Sequence, residues 1–476
     1  MTDPAIPIVV VKAPWSLTRA MMVVLVIGVL ARVLFVGGMP LLLTNDSLDY
    51  ASIAMRMISG EPAGFSSIRT PGYPLIVALA FFTFGVNGVG VLVVQHLLGL
   101  GIALLGTFAA ARFARPFWAM IIGLLLSLDG HLLGFSNIML SEVAASFFFM
   151  LAIAAAVHAE RRVWLCAFGV GASVAAAALV RPVMQVTLPF LVLGLVLLPR
   201  LTVARRAGVL GAVLVSFGAV AGPWLAYNAR RGISGFGEGF GWALWVSLVQ
   251  QDLYVRDYPV PAEAAEATKK LTAEKDSGRV VWEYLADPSV AKQPKSFLRD
   301  WAFASIKDDK SKYAARVGYS LLWQLNYFPA KGPIRWEQTR VMLKWMATGI
   351  SGESGRPTNF MTTIWPERTL PLAMSGRGGA VRSAYTWWIE HHPGGVPQIP
   401  LFVLAFAGGV LAIRTRNGQM AGILLATGAI VGVHAVMVFH QSRYSIPAWI
   451  AWYPLSAYPI ASIAGWWRAR RAKAAA

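Results

Sequence analysis

The chain has 476 residues, 56% hydrophobic and only 14% charged, with a mean hydropathy of +0.57, which excludes a soluble globule with a tail and identifies a polytopic membrane protein. Its 42 Lys and Arg against 23 Asp and Glu give a net charge of +19. Those cations fall in short clusters between apolar runs, which argues against nucleic acid and for anionic lipid headgroups as their partner. The single cysteine, Cys166, lies inside an apolar run, so no intrachain disulfide forms.

In chain order, spans of about 20 apolar residues are predicted near 17–37, 88–111, 117–136, 141–158, 163–181, 184–199, 207–225, 398–413, 418–439 and 445–465. The first reads as a retained anchor, because no small-residue cleavage pattern follows it at a convincing distance. With the N-terminus inside, Arg112 and Arg115, Arg161 and Arg162, Arg200, Arg205 and Arg206, Arg414 and Arg416, and the Arg468–Lys473 tail all fall on the cytoplasmic face. Both termini are then cytoplasmic, in a plasma or inner membrane. The first loop (37–87), the Ser136–Ser141 turn, Arg181-Pro182, the region 226–397 and His440–Ser445 face the other side. Pro74–Phe84 is apolar but short for a crossing and reads as an interfacial helix. The organisation expected is an N-terminal transmembrane module at 1–229, a mostly helical extracytoplasmic region at 230–397, and C-terminal helices with a basic tail at 398–476.

Charges near the apolar runs are few, so each is a candidate. In Asn45-Asp46-Ser47-Leu48-Asp49-Tyr50 the two carboxylates, three residues apart, share a face of any helical turn. One of them suits a proton acceptor for a hydroxyl; Asp46 serves equally well as the N-cap of a helix starting near Leu48. Arg69-Thr70-Pro71-Gly72-Tyr73-Pro74 is a rigid turn with a cation at its mouth, either a phosphate clamp or an arginine snorkelling to headgroups. Glu142 opens the fourth span beside Ser141, where a helix N-terminus alone also favours an acid. Asp129 and His131 lie deeper in the third span and do not make a metal site. Arg443 and Tyr444 are placed at the mouth of the bundle, where a guanidinium suits bidentate phosphate binding or interfacial anchoring. Arg32 near the end of the first span is expected to snorkel. The tryptophans of the outer region, Trp301 and Trp323 among them, are expected to dock it on the bilayer.

The order of these motifs is more specific than any one of them. Arg32, Asp46-x-x-x-Tyr50, a loop helix ending at Gly60, Arg-x-Pro-Gly-Tyr-Pro, Ser141-Glu142, Leu179-Val-Arg-Pro182, Pro223-Trp-x-x-x-Asn228 and Arg443-Tyr444-x-x-Pro447 run in series. Over about 1–245 and 398–465 the chain resembles the GT-C membrane glycosyltransferases of the protein O-mannosyltransferase and lipid A aminoarabinose transferase superfamily. The resemblance implies an all-α bundle of about 10–12 transmembrane helices with an interfacial-helix loop on its outer face. It implies inverting transfer of a sugar from a polyprenyl-phosphate carrier to a glycan, lipid or protein acceptor. Asp46 would be the catalytic carboxylate, with Asp49 or Glu142 as a second acid, since Ser47 stands where many members have an adjacent one. Arg69, Arg443 and Tyr444 would meet the carrier phosphate, and Tyr50, Tyr73, Arg181 and Asn228 are further candidates. No resident cofactor is expected, with a divalent metal left open. The alternatives are a transporter or flippase of lipid-linked sugars and a non-catalytic envelope-assembly subunit; against transport, no repeated halves or midplane charges are visible.

Overall fold

A computed structural model describes residues 16–38, 41, 45–62, 64–65, 68–199, 201–237, 239–250, 252–273, 281, 283–285, 287–293, 296–324, 398–437 and 446–475. The described residues are helical with irregular links and contain no β-strand. Helices α1 (Leu17–Gly38), α2 (Asn45–Ser59), α3 (Gly72–Phe84), α4 (Gly88–Ala110), α5 (Pro116–Ser127), α6 (Gly130–Ser136), α7 (Glu142–Val157) and α8 (Val163–Val180) come first. A 3₁₀ turn (Pro182–Thr187), α9 (Leu188–Val196) and α10 (Val203–Arg230) complete the first module. Then follow α11 (Gly239–Val249), α12 (Ala265–Ala273), α13 (Pro288–Ala291), α14 (Phe297–Asp308) and α15 (Lys310–Gln324). The chain closes with α16 (Gln398–Arg414), α17 (Gly418–Met437), α18 (Ile446–Leu455) and α19 (Ala457–Ala475). Five of these, α1, α4, α8, α10 and α17, are individually long and apolar enough to cross a bilayer, so the chain is a multi-pass membrane protein.

Helix occupies every predicted span over its described residues, but three spans are divided, each for a local reason. The segment predicted as one span at 117–136 is α5 and α6: Asp129 Oδ1 accepts from the Leu132 N–H at 2.9 Å and so caps a new helix. At 184–199, Pro182 follows an extended Arg181, and a 3₁₀ turn precedes α9. The last predicted span is α18 and α19, separated at Ser456 shortly after Pro454.

The first loop also differs from expectation. The polar and apolar faces of an interfacial helix belong to α2, with Tyr50, Ala51, Ile53 and Ala54 buried and Asp49 and Arg56 exposed; Gly60, at φ +74°, ends it. Helix α3 is apolar on every side: Tyr73, Val77, Ala80 and Phe81 are buried, while Leu75, Leu79 and Phe82 point outward, Phe82 being 83% exposed. Tyr73 at its start lies level with Gln95, and Phe84 at its end lies against Gly90, so α3 runs antiparallel to the first turns of α4.

One hydrophobic core runs through α1 to α10 and the C-terminal helices, including Tyr73, Phe81, Leu126, Phe149, Trp449 and Trp452. A second apolar cluster belongs to α11–α14 and contains Trp245, Tyr254, Tyr284, Phe297 and Trp301. Trp301 is therefore a core residue and not a bilayer anchor: it is fully buried, stacked 5.2 Å from Tyr258, and donates its indole N–H to Val255 O. Trp336, Trp345, Trp365, Trp387 and Trp388 lie outside the described residues. The second cluster is tied to the bundle by α15, where Tyr313 and Arg316 donate to Val436 O at the end of α17 at 2.9 and 2.8 Å.

The turn expected around Pro71-Gly72 is a backbone-to-backbone contact. A Cβ on Gly72 would fall 2.6 Å from both the carbonyl carbon and oxygen of Leu179, at the end of α8. Gly72→Ala is therefore expected to cost about 1–3 kcal/mol by overpacking. Gly211→Ala, with nothing within 4 Å of the added carbon, should leave stability unchanged or slightly raised. Thermal unfolding of both variants in detergent checks this; equal midpoints would remove the contact from the account.

Candidate functional site

Helix α7 runs from Glu142 to the 158–162 turn, and α8 runs back to Arg181, so those two residues lie at one end of the bundle. Arg161 and Arg162 lie at the other, where Arg112 pairs with Glu160 and His158 Nε2 meets Phe108 O at 3.1 Å. The first loop comes down on the Glu142 end. Thr70 donates to Val180 O at 3.4 Å beside the Gly72 contact, and Ser47 donates to Met139 O at 2.8 Å.

There the expected acids and arginine meet. Asp46 lies in the first turn of α2 and Asp49 one turn on. Arg69 reaches both: its Nη2 lies 2.6 Å from Asp46 Oδ1 and 2.9 Å from Asp49 Oδ2, and its Nε donates to Asp49 Oδ2 at 3.1 Å. Its Nη1 donates to the Tyr50 hydroxyl at 3.2 Å, and its guanidinium carbon sits 4.9 Å from the centre of the Tyr50 ring. Asp46 is thus more than a helix cap, and the two carboxylates use their shared face as their spacing anticipates. Asp49 is 56% exposed and Asp46 33%, while Arg69 is more enclosed than either.

Burial works to lower the Arg69 pKa, but the Asp46 charge and the hydrogen bonds to Asp46 and Asp49 outweigh it and raise it, so the guanidinium stays charged. Burial also lifts the Tyr50 hydroxyl above its ordinary value against the pull of Arg69, so it stays protonated at neutral pH. The Ser141 side chain also faces the Tyr50 hydroxyl, and the Tyr50 ring meets Tyr73 edge to face at 4.7 Å.

Glu142 lies beneath, almost fully buried, with its Oε1 2.9 Å from Arg181 Nη1. A buried pair of this kind ties the start of α7 to the end of α8, because removing either partner strands the other charge in a low dielectric. The 3₁₀ turn that follows Arg181 packs on α17, where His434 Nδ1 lies 2.7 Å from Ile430 O. Tyr73 donates its hydroxyl to Gln95 Oε1 at 3.0 Å. The cluster thus joins α2, α3, α4, α7, α8 and α17.

Of the remaining candidates, Asn228 is placed elsewhere: its Nδ2 donates to Gly235 O at 2.9 Å, and Trp224 donates to Phe236 O at 3.0 Å, closing the turn after α10. Arg443 and Tyr444 lie outside the described residues. Arg32 does not snorkel. It is buried and turned inward, donating to His96 O, Gly28 O and the carbonyl and hydroxyl of Ser127. Asp129 accepts the Tyr453 hydroxyl at 3.0 Å, fastening α18 to the α5–α6 break. Among the described residues no three His, Cys, Asp or Glu side chains are grouped as metal ligands would be. Gln95, His96 and His434 escaped the sequence reading, although the Gln95-His96 pair inside an otherwise apolar span is itself a signal, since buried polar groups there need partners.

No protein-family model and no curated protein matches the chain. Among solved structures it is similar to an oligosaccharyltransferase of Archaeoglobus fulgidus, solved tethered to an acceptor peptide, with a TM-score of 0.43, 13% identity, and coverage of 93% of this chain and 49% of that one. The chain spans about half the length of that protein. It is also similar to ArnT from Cupriavidus metallidurans, solved bound to undecaprenyl phosphate, with a TM-score of 0.40, 14% identity, and coverage of 93% and 78%. These are likenesses of fold alone.

Arg69→Met leaves Asp46 and Asp49 facing one another across a half-buried space and is expected to destabilise the protein by about 1–3 kcal/mol. Adding Asp49→Asn should recover part of that loss by removing the repulsion. Unfolding midpoints of the single and double variants measure it; a double variant no more stable than Arg69→Met would exclude carboxylate repulsion as the cause.

Proposed function

We propose that the chain is a membrane glycosyltransferase that moves a sugar from a polyprenyl-phosphate-linked donor to an acceptor hydroxyl or amine, with inversion, and that Asp46 receives the acceptor proton. The observation that carries this reading is the Arg69 clamp on Asp46, set beside the Glu142–Arg181 pair at the end of the bundle away from the basic clusters. The ordered motifs supply the substrate class and the geometry supplies the chemistry.

Attack by the acceptor on the anomeric carbon breaks the bond to the lipid phosphate, which departs as a phosphomonoester anion. That leaving group needs no strong general acid, so the protein's tasks are to accept one proton and to stabilise growing negative charge. A carboxylate bound to an obligate cation stays ionised at neutral pH and can serve as the base. Asp46 meets that condition. Asp49, on the same guanidinium, supplies the second acid, and Glu142 acts through its pair with Arg181.

This assignment changes the part given to Arg69. A guanidinium whose Nε, Nη1 and Nη2 are engaged by two carboxylates and a phenol is a holder of Asp46 first. The cluster Asp46, Asp49, Arg69, Glu142 and Arg181 sums to one negative charge, so the donor phosphate requires a further cation, for which Arg443 with Tyr444 is our candidate. The site end faces the extracytoplasmic side, because the basic clusters collect at the other end. Helices α11–α14, with their own aromatic core, are our candidate within the region 230–397 for setting the choice of acceptor.

Asp46→Asn removes the base at nearly constant volume and is expected to lower sugar transfer by at least about 10²-fold while leaving membrane abundance unchanged. The assay is transfer from a radiolabelled polyprenyl-phosphate sugar in proteoliposomes. Wild-type turnover by Asp46→Asn would end the assignment of the base.

A further inference from the structure

We propose that Gln95 is a positioning residue for this site, acting on the acids through the link between α6 and α7 on one side and through Tyr73 on the other. The proposal rests on the transferase reading.

Gln95 lies two turns into α4, away from lipid and water, with a side-chain exposure of 1%. A glutamine amide has two N–H donors and one carbonyl, and all are used. Its Nε2 donates to Ser136 O at 3.1 Å and Ile138 O at 2.8 Å, and its Oε1 accepts the Tyr73 hydroxyl at 3.0 Å. Ser136 is the last residue of α6, and Ile138 lies in the stretch without regular structure that follows, residues 137–141, before α7 starts. That stretch and the first residue of α7 carry contacts of the site. Met139 O receives Ser47 beside Asp46, the Ser141 side chain faces the Tyr50 hydroxyl, and Glu142 pairs with Arg181.

The same amide therefore fixes both walls of the cluster. Through the link it sets where Ser141 and Glu142 stand. Through Tyr73, whose ring supports Tyr50 edge-on, it sets where Tyr50 meets Arg69 and hence where Asp46 is held. No apolar residue at this position can satisfy the two carbonyls, and few polar ones offer two donors and an acceptor in one plane. The neighbouring residue adds a second hold on the link, since His96 Nε2 lies 2.7 Å from Asn137 Oδ1. Loss of the Gln95 donors thus shifts the link without releasing it from the bundle.

Displacements well under 1 Å at reacting groups are felt in turnover and not in substrate affinity, which separates positioning from a purely structural role. Gln95→Glu keeps the shape but turns an oxygen toward the link carbonyls, and Tyr73→Phe removes only the hydroxyl that Gln95 accepts. Gln95→Glu is expected to lower kcat about tenfold or more, and Tyr73→Phe about three- to tenfold, each with donor KM within about twofold of wild type. The double variant should fall no further than about twofold below Gln95→Glu, because both changes act through one amide. Hydrogen exchange of the amides at 137–141 should be at least about tenfold faster in Gln95→Glu, with the interior of α7 unchanged.

Wild-type kcat in both folded variants, a loss confined to donor KM, or single effects that multiply fully in the double would each overturn the proposal. Unchanged exchange at 137–141 would overturn the tether itself. Should the wild-type protein transfer sugar from no polyprenyl-phosphate donor, the transferase reading fails and takes the catalytic half of the proposal with it, while the exchange measurement still decides whether Gln95 holds the link.

Discussion

The arrangement of the site depends on one ionic contact, the guanidinium of Arg69 held between Asp46 and Asp49 with the Tyr50 phenol at its side. Two carboxylates one helical turn apart repel, and beside a low-dielectric bundle that repulsion is strong. One cation placed between them turns the repulsion into a fixed geometry. It also joins two parts of the loop 20 residues apart, fastening α2 to the turn before α3. The Gly72–Leu179 approach and the Thr70–Val180 bond then set that turn on the end of α8, next to Arg181. The position of Asp46 is thus inherited, through Arg69, from contacts with the backbone at the end of α8.

Beneath this clamp lies a polar layer inside an apolar protein. Tyr73, Gln95, Ser136, Asn137, His96, Ser127 and Arg32 are buried and connected by hydrogen bonds across α1, α3, α4, α5 and α6. A membrane bundle gains little from apolar side chains meeting each other in place of lipid, so directional bonds between such groups are the means by which helices acquire a unique placement. Here they hold irregular backbone, the α5–α6 break and the α6–α7 link, at the level of the site. Irregular backbone at that depth persists only where its carbonyls are satisfied by protein, and Gln95 and Arg32 do this for Ser136, Ile138 and Ser127.

Much of the fold was legible because its signals are additive along the chain. Apolar runs of sufficient length and the alternation of basic clusters place α1, α4, α7, α8, α10 and α17 within a few residues. The pairing of Asp46 with Asp49 was legible from their spacing, and the nearness of the Arg69 turn from its place in the motif series. Hydropathy is an average, so it passes over a break such as Leu128–Asp129, where one carboxylate recruits a backbone N–H and starts a new helix. It likewise assigns Arg32 to the headgroups, whereas the carbonyls that draw the guanidinium inward come from α4 and α5, 64 and 95 residues away in sequence. Trp301 was misjudged for a related reason: an aromatic near a membrane face fits a bilayer belt or a domain core equally well until its partners, Tyr258 and Val255 O, are known.

The attachment of the second apolar cluster follows from the same rule that governs the site. Helix α17 is described as far as Met437, and near that point Val436 O accepts from α15. Arg316, buried on α15 and bonded also to Ser247, brings a cation and donors to that end, and Tyr313 adds a hydroxyl to the same carbonyl of Val436. A positive charge at a helix C-terminus is favourable on its own, and more so where water is excluded. His434 stands within a turn of the carbonyls so capped, on the helix that packs against the turn after Arg181. The cluster formed by α11–α14 is therefore fixed to the bundle through the helix that also approaches the Glu142–Arg181 pair.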